Sequence, residues 1–228
     1  FGPNSRKFLT SLFGNFFSKE DFPFSRGKYL NLFNTKIWFQ RLSFVGELGW
    51  EIYIPIKKSN YIFDKIYKLG KKSNLTFAGM HTLDILRLEK KFLHWGHDIT
   101  SENNPFEAGL SFTVNFKKNE NFIGRSTLEK IKEKPISKSL ELFSLKNNFK
   151  PGKPLILHDE PIFFKDKIIG NTTSSNYSFC YNKNLCLGYI DSHYKDNDNL
   201  SLEVEGKRYS LSLEKSALHD PKSILLRN

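Results

Sequence analysis

Among the chemically capable side chains, Glu47 has the most constrained setting. It sits in Gly46-Glu47-Leu48-Gly49, a glycine-bracketed turn with Phe44 and Trp50 close by in sequence. A carboxylate held on a tight bend against aromatic walls suits a flat heterocycle with adjacent N–H donors. An aminopyrimidinone edge presents a ring N–H and an exocyclic NH₂ side by side, and one carboxylate accepts both. The same residue types also describe an ordinary exposed turn glutamate, and local chemistry alone leaves both readings open. His94-Trp95-Gly96-His97-Asp98 pairs two histidines with a carboxylate. It lacks a convincing third ligand, and Gly96 favours a tryptophan-anchored turn over one helical face, so no metal is expected. His81 reads as a core histidine on a buried helix. Arg87 and Glu89 are two apart, do not face each other on a helix, and are expected to make internal salt bridges or tether a neighbouring loop. Neither G-x-G-x-x-G after a strand nor G-x-x-x-x-G-K-[ST] occurs, so no dinucleotide or phosphate-loop fingerprint is present. Cys180 and Cys186 make neither a disulfide framework nor a zinc pattern and are read as reduced thiols.

These residues need elements to position them. Residues 36–45 (KIWFQRLSFV) read as a strand buried on both faces. After the turn, residues 50–55 (WEIYIP) return as a second strand with Trp50, Ile52 and Ile54 on one side. Asn60 is expected to cap a helix whose stripe is Ile62, Phe63, Ile66, Tyr67 and Leu69, with Gly70 ending it. A second, largely buried helix is expected over residues 77–91. A loop follows around residues 100–105, then a strand at 110–116. Ser126-Thr127-Leu128-Glu129 reads as a capping box opening a short helix that Pro135 terminates. Beyond Pro135 short alternating segments recur at 140–145, 154–158, 162–169, 186–190, 200–204 and 208–213, with Glu205-Gly206 as a two-residue hairpin turn. That texture predicts a small β-barrel or sandwich.

Composition bounds the rest. The 228 residues are 39% hydrophobic and 26% charged, which excludes a disordered or fibrous chain. No apolar run reaches the roughly 18 residues of a membrane span, so a soluble globular protein with no membrane partner is expected. The chain opens at Phe1 and its single methionine is Met80, which reads as an internal or C-terminal piece of a longer protein. A net charge of +11 could serve nucleic acid or an anionic ligand. Acids are interleaved throughout, and the densest basic spots (Lys71-Lys72, Lys90-Lys91, Lys117-Lys118) are only pairs, which argues against a nucleic-acid partner.

Taken together, VGELGWEIYIP (45–55), ILRLEKKFLHWGHDIT (85–100), NPFEAGLSFTVNF (104–116) and FIGRSTL (122–128) occur in an order that resembles the folate-binding aminomethyltransferase family, the glycine cleavage T-protein and its relatives. The WGHD form and the opening GPNSRKFL are most similar to the C-terminal folate domain of dimethylglycine and sarcosine dehydrogenases. GNTTSSNYSFCYNKNLCLGYI (170–190) and LHDP (218–221) resemble the family's C-terminal barrel. The resemblance implies an α+β fold: a partial folate-binding aminomethyltransferase domain over residues 1–135 and a T-protein-type barrel over 136–228.

It also implies tetrahydrofolate as cofactor, and an N-methylated amine or glycine derivative whose one-carbon unit is transferred to it. FAD would act only through an upstream flavin domain, and the setting would be bacterial cytoplasm or the mitochondrial matrix. The family's pterin-binding carboxylate falls on Glu47, in agreement with the local chemistry of the turn. Phe44 and Trp95 are candidate pocket walls, since aromatic faces stack on a pterin, with plain core packing as the alternative. The family's catalytic aspartate lies upstream of GPNSR, so no catalytic residue is assigned within this chain. The arginine that precedes the aspartate matching Asp84 in glycine cleavage T-proteins is here Leu83. His219 replaces what is often a larger aromatic, which argues against a folate contact there. The alternative is a stand-alone folate-binding regulatory or RNA-modification-associated protein without aminomethyl transfer.

Overall fold

The computed structural model describes residues 1–147 and 149–228. The chain forms two compact units, one from residues 1–92 with 219–228 and the other from residues 93–218.

In the first unit, helix α1 (Ser5–Phe13) precedes an antiparallel sheet of β1 (Gly27–Leu32), β2 (Thr35–Gln40) and β3 (Glu51–Tyr53) in sequential order. Phe33 and Asn34 both have positive φ, the geometry of a two-residue turn whose twist matches a hairpin, and they join β1 to β2. The expectation of a strand over 36–45 buried on both faces is corrected. β2 stops at Gln40 and its burial alternates: Ile37 and Phe39 point inward at 0% exposure, while Trp38 packs on the exposed ring of Tyr29. One face of this sheet is wet, as antiparallel sheets permit. The core gathers Leu9, Phe17, Phe22, Leu32, Ile37, Phe39 and Ile62, and Trp50, Ile52 and Ile54 pack on it together as their alternation predicts.

Helix α2 (Ser59–Gly70) begins one residue before Asn60, which lies inside its first turn and is not its cap. Ile62 alone of its expected stripe is fully buried; Phe63 and Leu69 are exposed. Helix α3 (Met80–Glu89) is shorter than expected and buried only in its last turn, at Arg87, Leu88 and Glu89. The unit also holds α5 (Ile224–Arg227), which follows α4 (Arg125–Lys132) of the second unit in sequence.

In the second unit, the strand expected at 110–116 is absent. Ser111–Thr113 form a single 3₁₀ turn, and Phe112 is 82% exposed. Helix α4 (Arg125–Lys132) is entered through Gly124 in the left-handed region without a side-chain cap, so Ser126 does not open a capping box; Arg125 instead pairs with Glu129 one turn along. Six strands then close into a barrel: β4 (Lys138–Leu145), β5 (Pro161–Phe164), β6 (Lys167–Ser178), β7 (Lys183–Asp191), β8 (Leu200–Val204) and β9 (Lys207–Glu214), in the spatial order β4-β7-β6-β5-β8-β9. Residues 154–158 are not a strand, and 162–169 is a hairpin of β5 and β6 rather than one segment. Glu205 and Gly206, both at positive φ, make the expected turn between β8 and β9. Phe143, Ile162, Cys186, Ile190, Leu202 and Leu211 are among the side chains filling the interior, where burial pushes the Cys186 thiol up to about 12. Closure removes every free strand edge from the barrel. Among the described residues no helix is long and apolar enough to cross a membrane.

Candidate functional site

Glu47 sits on residues 41–50, the bent connection from β2 to β3. Three features fix its shape. Gly46 has φ +77, and a Cβ built on it would lie 2.8 Å from Cδ of Lys90, so the bend needs a residue without a side chain. Lys90, just past α3, is buried beneath that bend and donates to the carbonyl of Asp220, whose carboxylate lies 3.3 Å from Nζ. At the other end of the bend, Arg41 is 0% exposed, donates to the carbonyls of Gly49 (3.2 Å) and Leu226 (3.0 Å), and has its guanidinium 4.7 Å from the centroid of the Trp50 ring. Burial, with a smaller push from Arg6, lowers Arg41 to about 10, which leaves it charged at neutral pH.

Residues 219–228 supply the remaining contacts. The backbone N–H of His219 donates to the Glu89 carbonyl at 3.0 Å, and its Nε2 lies 2.7 Å from Oε1 of Glu47. This is ion-pair distance, but the N–H is out of line, and Nε2 is buried without a hydrogen-bond partner. Asp220 accepts from the backbone N–H of Ile224 at 2.7 Å and of Leu226 at 3.2 Å. Burial opposes its charge, but these N–H groups, that of Leu225 and the Lys90 ammonium outweigh it and hold the carboxyl below its usual range. The Glu47 side chain is 21% exposed, so part of the carboxylate remains reachable.

The expected site residues fall in two places. Phe44 shares the 41–50 segment with Glu47 and lies nearly parallel to Phe92 at 6.2 Å. Trp95 belongs to the second unit, where it is 67% exposed on a turn that Gly96 enters at φ +87. That turn is held by Asp98. Its Oδ1 accepts from the hydroxyls of Thr173 and Ser174 at 2.6 Å each, and its Oδ2 from the His94 backbone N–H at 2.8 Å. The rings of His94 and His97 stack at 4.4 Å. Among the described residues no group of three or more His, Cys, Asp or Glu is arranged to hold a metal ion. The reading of His81 as a core histidine is corrected: it is exposed on the outer half of α3. Arg87 pairs with Asp84 at 2.7 Å and donates to the Phe92 carbonyl at 3.1 Å, so it is both salt bridge and tether.

Sequence reasoning missed Lys90 and Asp220 and set His219 aside. The signal was the LHDP string itself, whose partners are more than a hundred residues away. An apolar cavity of about 510 Å³ also occurs in the first unit, walled by Phe8, Ile54, Phe63, Ile66, Tyr67 and Phe77 among others. No carboxylate lines it, and neither Glu47 nor Phe44 does. Of the two places, only the Glu47 bend offers a partly exposed carboxylate.

Residues 1–118 match the GCVT N-terminal domain, and residues 141–220 match the Glycine cleavage T-protein C-terminal barrel domain. The chain belongs to the glycine cleavage T-protein family. It is 32% identical over 209 residues to human mitochondrial dimethylglycine dehydrogenase, covering 91% of this chain and 24% of that protein. It is 34% identical over 190 residues to the aminomethyltransferase of Halothermothrix orenii, covering 83% of this chain and 51% of that one. In fold it is similar to the glycine cleavage system aminomethyltransferase T of Bartonella henselae, with a TM-score of 0.69 at 24% identity over 81% of this chain and 50% of that one. The chain thus spans about a quarter of the dehydrogenase and half of the transferases.

Proposed function

We propose that this chain is the tetrahydrofolate-binding portion of an oxidative N-demethylase or aminomethyltransferase, with Glu47 as the anchor for the pterin. The observation that carries the reading is the Glu47 carboxylate, partly exposed on a bend that Lys90, Asp220 and Arg41 make rigid, beside a buried Nε2 of His219 that lacks a hydrogen-bond partner. Folding has placed a charged acceptor and an unsatisfied polar atom together, and buried polar atoms ordinarily find partners. A pterin fits because its ring N–H and exocyclic NH₂ match the two carboxylate oxygens, a bidentate, charge-assisted contact. When bound, tetrahydrofolate supplies the nucleophilic nitrogen that accepts a one-carbon unit derived from an N-methylated glycine.

The chain's own residues bind and orient. Glu47 sets the rotation of the heterocycle about its donor edge, and the buried Lys90–Asp220 pair keeps the bend from yielding. Phe44 is proposed as an apolar wall on the same segment. FAD chemistry would belong to a separate upstream domain, as would the binding of the amine. The test is calorimetric titration of tetrahydrofolate into the protein and into Glu47→Ala. Loss of the contact should cost about 1.5–3 kcal/mol, a weakening of about 10- to 150-fold. Equal affinity for both proteins would refute the assignment.

A further inference from the structure

The contact between His219 and Glu47 does more than fill space. Nε2 lies 2.7 Å from Oε1 of Glu47, close enough that the charge of the ring decides whether the two attract. With the N–H out of line, the contact is weak as a hydrogen bond. Ion-pair attraction needs no such alignment. Histidine changes charge between about pH 5 and 8, so the same geometry is a poor hydrogen bond when the ring is neutral and a close ion pair when it is charged.

We infer that His219 is a positioning residue that competes with the ligand for the Glu47 carboxylate, so that its protonation weakens binding of a pterin-type ligand. The inference rests on the proposed role of Glu47 and adds a regulator to that site. A charged His219 would draw Oε1 toward itself and away from the donor edge of the heterocycle. The ligand must then displace a cation to reach the oxygen. The backbone holds His219 beside Glu47, because its N–H is tied to the Glu89 carbonyl and the next residue, Asp220, is locked to Lys90 and to the first turn of α5.

Other charged groups face this contact. Lys90 and Asp220 are paired with each other, and Asp220 is held below its usual range and so stays ionised through the relevant window. Glu89 is buried on α3. Comparing variants at 219 with the wild-type protein isolates the share of His219.

The experiment is calorimetric titration of 5-formyltetrahydrofolate, whose N5 is acylated and does not protonate, between pH 5.5 and 8. The wild-type protein should bind more weakly as pH falls, with a slope approaching about one log unit per pH unit on the acid side, as for uptake of a single competing proton. His219→Gln, which keeps a neutral polar side chain, should bind with little dependence on pH. His219→Phe should do the same if a thermal melt shows it folded; the glutamine variant decides the matter if it is not. A flat wild-type profile, or a slope that survives in the folded glutamine variant, would overturn the inference while leaving Glu47 as the anchor. If Glu47→Ala binds as tightly as wild type at pH 8, the underlying reading of the site fails instead, and the inference with it.

Discussion

The bend that carries Glu47 depends on Gly46, and the cost of giving that position a side chain can be worked from the structure. Gly46→Ala places an L-residue at φ +77 and a methyl 2.8 Å from Cδ and 2.9 Å from Cγ of Lys90. The left-handed backbone costs roughly 1–2 kcal/mol. Relief of the clash is not cheap, because the Lys90 side chain is 3% exposed and its ammonium is tied to Asp220. Overpacking of this kind costs about 1–3 kcal/mol, for a combined loss of about 2–5 kcal/mol. Gly124→Ala is the control: its φ of +90 and ψ of −3 lie in the left-handed region, but nothing lies within 4 Å of the added Cβ, so it should show the backbone share alone. Urea denaturation followed by tryptophan fluorescence, read against Gly124→Ala, should show Gly46→Ala worse by the clash share of about 1–3 kcal/mol. Equal stability of the two variants, or a loss at Gly46 under about 0.5 kcal/mol, as for ordinary surface changes, would refute the claim that buried Lys90 props up the bend.

Further outcomes follow from the same contacts. Asp220→Asn should be less stable than wild type at neutral pH, and the gap should close as the pH drops. A carboxyl held below its usual range in the folded state stabilises the fold above the unfolded value of about 4 and loses that contribution as pH falls through the folded value. Parallel denaturation series from pH 7 to 3 would show this, and a gap independent of pH would contradict it. Asp98→Asn should lower the stability of the second unit by about 1.5–3 kcal/mol, because asparagine offers one acceptor where three donors now converge and turns an NH₂ toward one of them. If the change proves neutral in urea, the turn does not depend on that carboxylate.

Where neighbours in sequence are also neighbours in space, the amino-acid string determined the outcome. Glu205-Gly206 specifies a hairpin because only certain residues accept two successive positive φ values, and the alternation of Trp50, Ile52 and Ile54 put those side chains on one core face. The bend at Glu47 was legible only in part: its glycines mark a change of direction, but the turn expected directly between two strands is the longer connection 41–50, held by Arg41 and by distant Lys90. Local reading failed where a distant partner outbids a local preference. Residues 110–116 are apolar enough for a strand but have no strand beside them, and 154–158 likewise find no ladder. Residues 36–45 read as continuously buried because a run of apolar and aromatic residues does not reveal that one sheet face stays open. Ser126 resembles a cap, yet Gly124 already turns the chain into α4 in the left-handed region. Above all, it is tertiary folding that brings His219 and Asp220 to Glu47 and Lys90, across separations of more than a hundred residues. Local pattern carries no information about such pairings, because the free energy that selects them comes from burying and neutralising charges together, and that exists only once the chain has closed on itself.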